Sequence, residues 1–179
     1  IKKNKRIDVK NFRKYIIIGL IILILYLIEK RFFFMAFFVI TIFIGKILRM
    51  RLGTDMIIIE PQQFYMLLIY KYWGFKMLAI FLFITVIFGD AMASNLTDGS
   101  FLNYFLFHIT PVISNLLVGS FGMLAYGLVA TLLYAFIYTP IKVLYLGGDP
   151  LQATSKAVTP IIFTFLYIQF FGNIFALVM

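Results

Sequence analysis

The 179-residue chain contains no cysteine, one histidine and only seven acidic residues. Without cysteine there is no disulfide, no thiolate nucleophile and no cysteine-ligated metal. One histidine excludes a histidine-rich metal centre within the chain, and no cofactor is expected. Charged residues make up only 13% of the sequence, while 63% is hydrophobic and the mean hydropathy is +1.02. Soluble domains hold roughly 45–50% apolar residues, so this composition belongs in a membrane. A span takes about 20 apolar residues, which leaves room for six or seven spans and none for a soluble domain. The segments are continuously apolar rather than alternating, which excludes a transmembrane barrel. The expected fold is all-α, a polytopic transmembrane helix bundle.

The net charge of +9 would point to nucleic acid if it were spread over a surface. It is not. Lys2, Lys3, Lys5, Arg6, Lys10, Arg13 and Lys14 crowd the first fourteen positions, and Lys46, Arg49 and Arg51 follow the second apolar run. That is the distribution of cytoplasmic membrane flanks, where positive charge sets topology and meets anionic lipid headgroups. The expected organisation is a basic cytoplasmic segment, 1–14, and one transmembrane domain, 15–179. The expected location is the cell membrane, multi-pass, with the N-terminus inside and no nucleic-acid partner.

Tyr15 to Ile28 and Phe32 to Ile44 read as a helical hairpin turned at Glu29-Lys30-Arg31. Met56 to Tyr70 is interrupted by Glu60-Pro61-Gln62-Gln63, where Pro61 suits the first turn of a new helical piece. If that segment crosses, Lys71 and Lys76 lie outside and the chain has seven spans. If it re-enters, they lie inside and the chain has six. Counting Lys and Arg on each side does not separate the two, because Lys142 and Lys156 change sides with Lys71 and Lys76. The break favours six spans with a re-entrant segment at 56–70 and a cytoplasmic loop at Lys71–Lys76. The next span runs from Met77 to about Ala93, Asp98-Gly99-Ser100 punctuates a turn, and Phe101 to Val118 follows. Gly147-Gly148-Asp149-Pro150 stops one helix and starts the last, with Asp149 as N-cap and Pro150 at the first helical position.

Glu60 and Asp90 are carboxylates at bilayer depth. Such groups must be paired, neutralised or wetted, so they are candidates for function. Asp90 and Ser94 share a helix face. Tyr104, His108, Pro111 and Asn115, spaced four, three and four, form a polar stripe on another. The expected ligand cavity is lined by Glu60, Gln63, Asp90, Ser94, His108 and Asn115, with Asp90, Glu60 and His108 sharing it. Asp90→Asn is then expected to abolish binding and leave melting nearly unchanged. Gly127, Thr131, Ala135 and Thr139 form a ridge of small residues for close helix contact. Of two protease arrangements, the rhomboid-type one fails and an intramembrane aspartyl protease on Asp90 and Asp149 is kept as the lesser alternative. Gly119-Ser120-Phe121-Gly122 has the wrong order for a rhomboid-type serine. An intramembrane aspartyl protease needs Gly-x-Gly-Asp and a second Asp, whereas Leu146-Gly147-Gly148-Asp149 lacks the leading glycine. No catalytic residue is expected, and no enzyme activity.

From Arg51 to Tyr104 the chain has a basic loop, a short acid-bearing segment and the Trp73-Gly74 turn. A span ending in Gly89-Asp90 follows, then Asp98-Gly99-Ser100. This pattern resembles the substrate-capture subunits (S components) of energy-coupling-factor transporters and the rod-shape membrane protein D family. The resemblance implies a small-solute capture subunit working with other membrane subunits. S components dock through an Ala-x-x-x-Ala ridge on the first span, whereas Tyr15 to Ile28 offers only Gly19. The alternative expectation is a structural, scaffolding subunit that uses the Gly127–Thr139 ridge to hold partners.

Overall fold

The computed structural model describes residues 29–52, 61–93 and 96–178. The basic N-terminal segment, Tyr15 to Ile28, Glu60 and Ser94 lie outside the described residues. Every described element is helical: α1 (Lys30–Leu52), α2 (Gln62–Leu82), a π-helical turn (Phe83–Phe88), α3 (Gly89–Met92), α4 (Asp98–Val118), a 3-10 turn (Gly119–Phe121), α5 (Met123–Leu144) and α6 (Pro150–Val178). Five helices among these residues are long and apolar enough to cross a membrane, the run Gln62–Met92 counting as one. The chain divides into two compact units, residues 1–37 and 38–179, with α1 running through the division. In the first, Glu29 starts α1 by accepting the Phe32 N–H at 3.2 Å. The exposed Arg31–Glu29 pair, at 3.8 Å, contributes little. Everything below concerns the second unit.

The run Gln62–Met92 is not straight. Gln62 Nε2 donates to Thr85 Oγ1 at 3.3 Å across 23 positions, a separation that a continuous helix would stretch to about 35 Å. The fold occurs at Gly74, whose φ of 79° and ψ of −175° lie in a region open essentially to glycine alone. Two antiparallel arms result, 62–73 and 75–92. The lysines on either side, Lys71 and Lys76, keep the turn polar. Gly74→Ala is expected to lower stability by about 1–3 kcal/mol, read as a fall in detergent melting temperature. Gly45→Ala is the control, since a Cβ at Gly45 meets nothing within 4 Å.

The first arm is the centre of the unit. Every side chain from Gln62 to Ile69 is buried, as expected of a helix enclosed on all sides. Tyr65 stacks on Phe38 of α1 with centroids 4.0 Å apart. Phe64 stacks on Tyr167 of α6 at 5.5 Å and meets Phe175 edge-on at 5.8 Å. A Cβ at Gly127 of α5 would sit 3.5 Å from Leu67.

The arms, α4, α5 and α6 alternate in direction, so two ends can be defined. Asp90 lies at the end where α4 begins, whereas Gly119 lies about 30 Å further on, past the 21 residues of α4. Lys46 pairs with Asp90, and Lys71 Nζ donates to the Gly119 carbonyl at 2.7 Å. Lys46 and the Lys71–Lys76 turn therefore occupy opposite ends. The six-span expectation, with the two basic clusters on one side, is not borne out by this placement. The reason is that Pro61 opens a helix that continues toward the far end instead of turning back.

One helix start falls where the sequence places it and one is displaced. Asp149 Oδ2 accepts the Gln152 N–H at 2.8 Å, and α6 begins at Pro150. Asp98-Gly99-Ser100, read as a turn, is the first turn of α4. Ser100 Oγ accepts the Thr97 N–H at 3.3 Å, completing a capping box that starts the helix three residues early. The ridge on α5 is buried at Gly127 and Thr131 but only half-buried at Ala135 and Thr139. At Gly127 the neighbour is Ile168 of α6. The α6 face turned inward is itself small, with Ala153, Ala157, Thr164 and Gly172 buried.

Candidate functional site

The π turn sets up the principal polar site. Closing i to i+5 adds a residue to the turn and lays the Thr85 carbonyl beside residue 90. One ammonium then reaches two acceptors: Lys46 Nζ donates to Thr85 O at 2.5 Å and to Asp90 Oδ1. Gly89 makes the approach feasible, because a Cβ there would lie 3.1 Å from Lys46 Nζ. The side chains of Lys46 and Asp90 are only 10% and 19% exposed. Thr85 is fully buried, and its hydroxyl donates to the Phe81 carbonyl at 2.8 Å while accepting from Gln62. The chain Asp90–Lys46–Thr85–Gln62 thus links three segments through charge-assisted and neutral hydrogen bonds.

Gln63 adjoins this chain at the start of the first arm. It is 5% exposed, and its Oε1 has no partner among the described residues. An orphaned buried amide oxygen has lost its water without replacement, so it is an acceptor in waiting. The site therefore offers a cation, an anion, a hydroxyl and one amide, with the Gln63 amide next along the same helix. That set can hold a small polar molecule. It contains no nucleophile poised against a base, and no cluster of metal-ligating side chains occurs among the described residues.

The sequence-based cavity is distributed differently in the structure. Asp90 falls at the site just described, and Gln63 is buried next to Gln62 in the first arm. Asn115 falls at the opposite end, where its Oδ1 faces Lys71 Nζ at 3.4 Å. Lys71 there closes the end of α4 and lies 5.4 Å from the ring centroid of Tyr126, a structural clasp. His108 takes a third position. Its ring is 5.4 Å from that of Phe75, and Phe75 precedes Asp90 by fifteen residues on the second arm, about 22 Å of helix. Asp90 and His108 therefore do not share a cavity. The stripe on α4 does face inward at His108 and Pro111, but α4 runs past the second arm and spreads its polar residues over the whole length. Glu60 and Ser94, outside the described residues, take no part in this placement.

Sequence reasoning missed Lys46, Gln62 and Thr85. In sequence Lys46 groups with Arg49 and Arg51 as a topology signal. It sits three residues deeper in the apolar run, and that offset was the available clue. The π turn had no such sign in the sequence beyond Gly89 itself.

Set against protein families, curated proteins and solved structures, the chain matches none.

Proposed function

We propose that this chain is an integral membrane protein, without catalytic activity of its own, that captures a small polar solute at Lys46, Gln62, Gln63, Thr85 and Asp90. The observation that carries this reading is the Lys46–Asp90 pair, held inside the bundle, with a buried and unpartnered Gln63 oxygen next along the helix from Gln62. A buried pair is seldom the cheapest way to hold helices together, since apolar residues of similar volume do as well or better. Charges kept in a bilayer mark solute or ion pathways far more often. The first arm is about 18 Å long against a hydrocarbon core of about 30 Å. Gln62 and Gln63 at its start therefore lie within the slab, where a bound solute is shielded from water. The S-component-like pattern at Arg51–Tyr104 agrees with this role and with a place among other membrane subunits.

The reading is tested by melting the purified protein with millimolar amino acids, mono- and dicarboxylates and water-soluble vitamins. At least one class is expected to raise the melting temperature of the wild type and to leave Asp90→Asn unmoved. Equal shifts in both proteins would remove the site from the account. The scaffolding alternative loses its proposed contact surface at Gly127 and Thr131, which are buried inside the chain.

The same pair bears on topology. Lys46 and Asp90 at one end and Lys71 at the other support the seven-crossing arrangement over the re-entrant one. A cytoplasmic N-terminus then puts the polar end of the Lys71–Lys76 turn outside. Lys76→Cys, the only thiol in a chain without cysteine and exposed on that turn, is expected to react with an impermeant maleimide in sealed cells. Reaction only after permeabilisation would restore the six-span arrangement.

A further inference from the structure

A cavity lies apart from the polar site. It is a groove of about 460 Å³ between the start of the second arm, at Phe75 and Ala79, and the middle of α4, at Tyr104, Phe105, His108 and Val112. That volume is within the range of small-molecule sites. Phe75, Phe105 and Ile109 are exposed along its mouth, so it opens on the apolar outer face. His108 is the polar exception, and it is 9% exposed. Its Nδ1 lies 2.7 Å from the Tyr104 carbonyl, which can only accept. In the neutral ring Nδ1 therefore carries the hydrogen and Nε2 keeps a lone pair. Nε2 has no partner among the described residues. His108 stands ten residues from either end of α4, about 15 Å, which is the depth of the bilayer midplane when α4 spans.

We infer that this groove binds a lipid-soluble phenol or hydroquinone, its ring among Phe75, Tyr104 and Phe105 and its hydroxyl donating to His108 Nε2. Each property of the groove selects for one part of that molecule. Apolar walls reject a charged headgroup, because nothing in them compensates its desolvation. An acyl chain fits the walls but brings no donor, which leaves the imidazole nitrogen unsatisfied. Aromatic walls favour a flat ring in offset or edge-on contact. The site is independent of the Lys46–Asp90 reading and stands whether or not a polar solute is captured there.

Trp73, the only tryptophan, lies two residues from Phe75 and serves as the reporter. The protein in lipid nanodiscs is titrated with a brominated alkylphenol and with its O-methyl ether, following quenching of Trp73. Saturable quenching by the phenol is expected, with the ether weaker by roughly five- to tenfold. His108→Phe is expected to reduce phenol affinity by a similar factor without changing that of the ether. Val112→Phe, which fills the groove and keeps the imidazole, is expected to abolish saturable quenching by both. Equal affinity of phenol and ether for the wild type would overturn the inference, and that comparison needs no folded variant. Undiminished phenol binding by His108→Phe would also overturn it. Non-saturable quenching that Val112→Phe leaves intact would mean that acyl chains fill the groove. Exclusion of both probes with cross-linking of Phe75→Cys between copies would assign it to a second chain.

Discussion

Asp90→Leu is expected to lower stability by about 3 kcal/mol, and Lys46→Leu by a similar amount. Either change leaves a charge inside the bundle with its partner gone, a loss of about 3–5 kcal/mol for a fully buried pair. The residual exposure of 10% and 19% puts these two at the lower end. The double variant Lys46→Leu/Asp90→Leu is expected to melt at or above the wild type, because it removes both desolvation penalties together. Asp90→Asn is intermediate, since its amide oxygen can still accept from Lys46. Detergent melting of the four proteins forms a double-mutant cycle, and the expected coupling is large and favourable. Additive effects would mean that the pair does not form.

Gly127→Leu is expected to be the most damaging uncharged substitution, by about 3 kcal/mol. Even a Cβ at this position would lie 2.2 Å from Ile168 Cδ1 and 3.5 Å from Leu67 Cδ1. Gly127→Ala needs only the tip of Ile168 to move, so its cost stays near 1 kcal/mol. A leucine has no such exit, because Leu67 belongs to the enclosed first arm and Ile168 is buried on α6. Overpacking of this kind costs about 1–3 kcal/mol and sometimes more. Ala135→Leu, on the half-buried part of the same ridge, is expected to be milder. Melting of Gly127→Leu and Ala135→Leu side by side checks the order, and the reverse order would contradict the α5–α6 contact.

The helical class was legible because long apolar runs leave the backbone only one way to satisfy its hydrogen bonds. So were the local signals at Asp149-Pro150, at Gly127 and at the Pro61 break, each fixed by neighbours within a few residues. The direction of the first arm was not. It depends on whether the helix opened at Pro61 crosses or turns back, and the Trp73-Gly74 turn reads the same in sequence either way. Asp90 was legible as a candidate, but its partner lies 44 residues away on α1. Without Lys46, Asp90→Asn looked harmless to the fold, and the structure makes it costly. His108 and Asp90 point to one cavity in sequence because both are polar in apolar runs. Sequence spacing gives the face of a helix but not the depth at which two helices meet.

Native mass spectrometry of the protein purified from its own membranes tests solute capture most directly. Wild type and Lys46→Leu/Asp90→Leu are compared, the second being a variant whose fold is expected to survive. The account predicts a small-molecule mass increment on the wild type, removed by collisional activation and missing from the double variant. The same increment on both proteins, or bare chain in both, would contradict it.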